Sequence, residues 1–103
     1  MSVYMVDREL PGIEMEQLAA AQKAAIETSN KFTAEGKPVR YIRTTFVPGE
    51  AHCICLFEAG NADHVREVNE TANISFTRIV EALDLTAIAA AARIESPMRI
   101  RAS

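Results

Sequence analysis

Val39-Arg40-Tyr41-Ile42-Arg43-Thr44-Thr45-Phe46-Val47, then Pro48-Gly49-Glu50, then Ala51-His52-Cys53-Ile54-Cys55-Leu56-Phe57-Glu58: residues 39–58 decide the fold. The first run is rich in β-branched and aromatic residues, the mark of a strand. The proline and glycine force a turn, and the second run continues as a strand, so the two form a hairpin. The second run is apolar almost throughout, which predicts a central strand buried on both faces. A four-residue loop would set Val47 opposite His52, Thr45 opposite Ile54, Arg43 opposite Leu56 and Tyr41 opposite Glu58. That register puts Tyr41, Arg43 and Glu58 on one face. It puts Ile42, Phe46, Cys53, Cys55 and Phe57 on the other, an apolar surface suited to helices.

Outward from the hairpin, residues 3–10 read as a strand stopped by Pro11-Gly12. Met15, Leu18, Ala21, Ala25 and Phe32 recur at helical spacing within residues 14–35, and Gly36 and Pro38 end that helix. After the hairpin, Asn61 suits an N-cap for a helix over 62–72, with Val65, Val68 and Ala72 as its buried stripe. Residues 77–86 read as a fourth strand. The order β-α-β-β-α-β predicts an α+β ferredoxin-like sandwich: one antiparallel four-stranded sheet with two helices on one face. The expected domain is residues 1–86. Residues 87–103 are expected to add a helical, then flexible and basic, extension through Arg93, Arg99 and Arg101.

At 103 residues there is room for one core. Hydrophobic residues make up 49% and charged residues 24%, a globular mix that excludes global disorder. The net charge of −3 gives no attraction to nucleic acid or to anionic membrane. No apolar run reaches the length of a membrane span, and the N-terminus lacks the pattern of an export signal. A cytoplasmic setting is therefore expected, with Cys53 and Cys55 reduced. Their i, i+2 spacing puts their Cα atoms roughly 6.5–7 Å apart, at the outer limit for a disulfide.

Motifs for chemistry are sparse. Cys-x-Cys with His52 and His64 matches no zinc spacing, and the four glycines form no phosphate loop. No cofactor is expected. The informative residues are charges inside strands: Asp7, Arg8, Arg43, Glu58 and Glu81. Each must face water, a partner charge or a ligand, because burying a lone charge is costly. Tyr41, Arg43, Glu58 and Glu81 are the candidate ligand-binding set, with Arg43 as anion anchor, one glutamate as base and Tyr41 as hydroxyl donor. A structural or dimer-interface ion-pair network is the competing expectation for the same residues.

The strings Tyr4-x-x-x-Arg8-x-Leu10-Pro11-Gly12, Val39-Arg40-Tyr41, Cys55-Leu56-Phe57-Glu58-Ala59, Val65-Arg66 and Arg78-Ile79-Val80-Glu81-Ala82 resemble, in their order and spacing, a bacterial family of ferredoxin-like domains of unknown function. Its best-known branch is a nickel-binding protein. The resemblance covers about residues 3–85 and implies the ferredoxin-like fold and a homodimer. In the nickel branch the ligands are histidines whose matching positions here are Asp7, Tyr41 and Asn69 or Ile74. None is histidine, so no tight nickel site is expected. Three functions stay open: a small-molecule site between the open sheet face and a partner subunit, metal handling, and a structural or assembly module.

Overall fold

The computed structural model describes residues 1–87. Its elements are β1 (Ser2–Glu9), α1 (Met15–Ala34), β2 (Val39–Val47), a single 3-10 turn (Pro48–Glu50), β3 (His52–Ala59), α2 (Ala62–Thr71) and β4 (Arg78–Ala82). The sheet runs β2-β3-β1-β4, and every neighbouring pair is antiparallel. This is the expected ferredoxin-like β-α-β-β-α-β sandwich. Expectations for the tail from Ile88 onward lie outside the described residues.

Local chemistry accounts for the element ends. Gln17 Oε1 accepts the Glu14 backbone N–H at 2.9 Å, which closes the first turn of α1. Gly36, at φ +90°, takes the left-handed step that ends it. Asn61 Oδ1 accepts from the His64 N–H at 2.9 Å, so Asn61 caps α2 as its side chain allows. β4 is shorter than expected: pairing with β1 stops at Ala82, opposite Val3. Leu83 is 79% exposed and Leu85 52%.

Alternation sorts the strands. Tyr4, Val6 and Arg8 of β1, with Cys53, Cys55, Phe57 and Ala59 of β3, face the helices and are buried. Val65 and Val68 of α2, and Ala25 and Phe32 of α1, close the core over them. Asn69, not Ala72, completes the buried stripe of α2, and Ala72 sits at the helix cap. The opposite face carries Met5, Ile54, Leu56 and Val80, all half-buried, and no helix covers it among the described residues.

The hairpin register needs one correction. Val47 pairs with His52, Thr45 with Ile54 and Arg43 with Leu56, but Tyr41 pairs with Phe57 and Arg40 with Glu58. A β-bulge between Tyr41 and Arg43 inserts Ile42 as an extra residue. The slip turns Tyr41 onto the helix face. There its ring meets Phe57 edge-on, with centroids 5.6 Å apart.

The Asn61 cap is expected to contribute about 1 kcal/mol. In urea unfolding Asn61→Ala should lose stability of that order, while Asn61→Asp should stay near the parent. Equal losses in both variants would show that the cap hydrogen bond is not what is measured.

Candidate functional site

Asp7 and Arg8 are adjacent on β1, so their side chains leave opposite faces of the sheet. Each anchors a polar system.

Arg8 points among the helices and is 2% exposed. Nε donates to Cys55 Sγ at 3.4 Å, Nη1 to the Ser75 carbonyl at 3.1 Å, and Nη2 to Asn69 Oδ1. Asn69 is itself oriented by donating Nδ2–H to the Val65 carbonyl at 2.8 Å. All three acceptors are neutral. Among the described residues no carboxylate bonds to this guanidinium, although a buried charge ordinarily has one.

From Cys55 a chain of polar contacts leads outward. Thr44 Oγ1 lies 3.1 Å from Cys55 Sγ and 2.6 Å from the Tyr41 hydroxyl. Gln22 Nε2 donates to the same hydroxyl at 2.7 Å, at the surface. Cys53 Sγ lies 3.8 Å from Cys55 Sγ. Both cysteines are free and buried. Burial, followed by the neighbouring Cys55, pushes the Cys53 thiol up to about 12, so Cys53 is no standing nucleophile. These groups wall a cleft between sheet and α1, closed above by Leu18, Ala21 and Ala25. It spans about 280 Å³ of space between atoms, solvent at its mouth included, and only about 10 Å³ admits the centre of a water molecule.

On the open face, Asp7 Oδ2 accepts from Arg78 Nε at 2.6 Å, and Oδ1 lies 3.3 Å from His52 Nε2. The other ring nitrogen of His52 is 2.8 Å from Glu9 Oε1. The imidazole thus bridges two carboxylates. Its pKa is raised above 6.5, first by the Glu9 hydrogen bond, against partial burial, and then by the charges of Glu9, Asp7 and Glu50.

The four residues singled out from sequence are divided between the faces. Arg43 and Glu58 share the open face, but each has its own partner: Arg43 pairs with Asp84, and Glu58 accepts from Arg40 Nε at 3.2 Å. Tyr41 stands on the helix face beside Thr44. Glu81 lies opposite Tyr4, exposed near the sheet edge. The bulge at Ile42 separates Tyr41 from Arg43 and Glu58, so one chain forms no single cavity from the four. Sequence reasoning noticed Arg8 as a strand charge but did not place it. The signal was present: Tyr4-x-Val6-x-Arg8 puts Arg8 on the apolar side.

Nickel does not fit this donor set. His52 has both ring nitrogens engaged by carboxylates, and His64 lies on α2. Among the described residues no group of three or more histidine, cysteine or acidic side chains is placed to hold a metal ion.

The His52 bridge carries a pH dependence. A raised folded-state pKa stabilises the fold fully below the unfolded value of about 6.5, and that gain is lost as pH rises through the folded value. The stability difference between the parent and His52→Asn should therefore be largest just below pH 6.5 and shrink as pH rises. Chemical denaturation across that range measures it, and a difference flat with pH would contradict the bridge.

No helix of the described residues is long and apolar enough to cross a membrane. No curated protein matches the chain. The crystal structure of SCO4226 from Streptomyces coelicolor A3(2) is similar, with a TM-score of 0.69 at 24% identity. The match covers 84% of this chain and all of that one, and supports the fold. Residues 4–82 match the family described as nickel responsive protein SCO4226-like. With the β-α-β-β-α-β order and this match over most of its length, the chain belongs to the SCO4226-like family of nickel responsive proteins.

Proposed function

We propose that the protein is a small homodimeric binding protein that takes an anionic small molecule against Arg8, in the cleft between the sheet and α1. One observation carries this reading: a guanidinium 2% exposed whose hydrogen-bond partners among the described residues are all neutral. An unpaired buried charge costs several kcal/mol, and a bound anion offsets that cost. A guanidinium has five N–H donors, and three bonds are made to the described residues. The roof over the cleft uses the short side chains of Ala21 and Ala25. A carboxylate or oxyanion must displace α1 outward to reach the guanidinium, because only about 10 Å³ there now admits the centre of a water molecule. Tyr41 and Thr44 supply hydroxyls to the far side of the ligand, and Gln22 stands at the mouth.

The homodimer rests on the other face. Met5, Ile54, Leu56 and Val80 form an apolar strip there with no helix above it among the described residues, and a second copy of the same sheet is its natural cover. Arg40, Arg43, Glu58 and Asp84 then lie along one side of the strip, where their ion pairs would edge the interface.

The family description brings a second reading, metal handling centred on nickel. The carboxylate-engaged His52 and the distant His64 speak against a nickel site of imidazoles, and the Arg8 cleft is the better-supported site.

Two outcomes are expected. In amide NMR titrations with acetate, phosphate and sulfate, the resonances that move should be those around Arg8, Tyr41, Thr44 and Cys55. Tyr41→Phe should weaken binding by about 3- to 10-fold, the worth of one hydrogen bond, with little loss of stability. Shifts confined to the open face around Arg43 and Glu58, or none at all, would sink the cleft reading. In light scattering at tens of micromolar the mass should be twice that of the chain, and Leu56→Glu should halve it. A monomeric parent would end the dimer reading.

A further inference from the structure

We infer that Cys53 and Cys55 form a two-thiolate site for a soft monovalent cation, copper(I) by chemistry, whose complex is itself the counter-charge of Arg8. The inference rests on the reading that Arg8 lacks a counter-charge among the described residues; with copper(I) bound, the complex takes the place that a small anion takes in the metal-free chain.

The geometry comes first. The two side chains leave the same face of β3, with their sulfurs 3.8 Å apart. A two-coordinate soft cation takes a near-linear arrangement whose sulfurs stand about two metal–sulfur bonds apart, roughly 4.5 Å, so the sulfurs must part by under about 1 Å. Metal binding therefore requires the two buried side chains to rotate apart about χ1. Thr44 Oγ1 lies 3.1 Å from Cys55 Sγ, within hydrogen-bonding reach of that sulfur.

Charge then selects the ion. The metal displaces both protons: two thiols and one monovalent cation give a bis-thiolate complex of charge −1 and release two protons to solvent. No oxidation state changes. Beside Arg8, whose Nε lies 3.4 Å from Cys55 Sγ, the buried sum is zero. A divalent ion on the same thiolates leaves the sum at +1 in a site with few other donors, which burial disfavours. Divalent zinc also asks for four ligands, and among the described residues no third histidine, cysteine or acidic side chain joins the pair. Softness agrees, since thiolates favour copper(I).

The test is competition for copper(I) against bicinchoninate under argon, with the full reduced chain. The parent should withdraw one equivalent per chain and hold zinc at least 100-fold more weakly. Cys53→Ala and Cys55→Ala, each checked by circular dichroism, should withdraw none. Arg8→Lys should keep the affinity within about 3-fold, whereas Arg8→Met should lose at least 10-fold. If Arg8→Met does not fold, the order of copper(I) over zinc in the parent decides the matter. No copper(I) withdrawal by the parent, zinc bound as tightly as copper(I), or copper(I) retained by both cysteine variants would each overturn the site. Acetate or phosphate shifts at Arg8 without copper(I) binding would overturn this inference alone. Absence of both would remove the anion reading with it.

Discussion

The burial of Arg8 is the constraint on which the rest of the structure depends. Its guanidinium reaches three separate pieces of the chain: Cys55 on the neighbouring strand, Asn69 on the last turn of α2, and the carbonyl of Ser75 in the segment leading to β4. Sequence separations of 47, 61 and 67 residues are closed by one side chain. Apolar packing by Val6, Phe57, Val65 and Val68 supplies most of the driving force. It does not say how α2 should sit over the sheet. The planar fork of Arg8 does, because its donors have fixed directions.

The same strand solves a second problem by alternation. Asp7 and Arg8 carry opposite charges, yet they do not pair, since the sheet stands between them. Asp7 is 7% exposed and is satisfied by Arg78 and His52 on its own face. Thr77, whose N–H donates to the Asp7 carbonyl at 2.7 Å, starts β4 in the register that brings Arg78 there. Thus, among the described residues, Asp7 has a counter-charge in Arg78 and Arg8 has none. That asymmetry is why the helix side, rather than the open side, carries the ligand reading.

Much of this was legible in the sequence, and the remainder was not for identifiable reasons. The fold followed from local signals: the Pro48-Gly49 turn, the β-branched run before it, the Asn61 cap and the helical spacing through α1. The pairing of Val47 with His52 and of Arg43 with Leu56 followed from loop length. The pairing of Tyr41 did not, because nothing in Tyr41-Ile42-Arg43 marks a bulge. Both Tyr41 and Ile42 are strand formers, and packing of Tyr41 on Phe57 decides between them. Asn69 was hidden for a related reason. A polar residue on a buried helical stripe makes sense only once its partner is known, and Arg8 is distant in sequence. Arg8 itself was recognisable as a costly strand charge, but its neighbours come from elements that no spacing rule links.

The most direct measurement is a crystal structure of the reduced protein at a resolution that shows what lies in the cleft beside Arg8. The expected result is non-protein density, a small anion or a metal bridging Cys53 and Cys55, next to the guanidinium. Arg8 salt-bridged to an Asp or Glu side chain of either subunit, with α1 closed on an empty cleft, would contradict it.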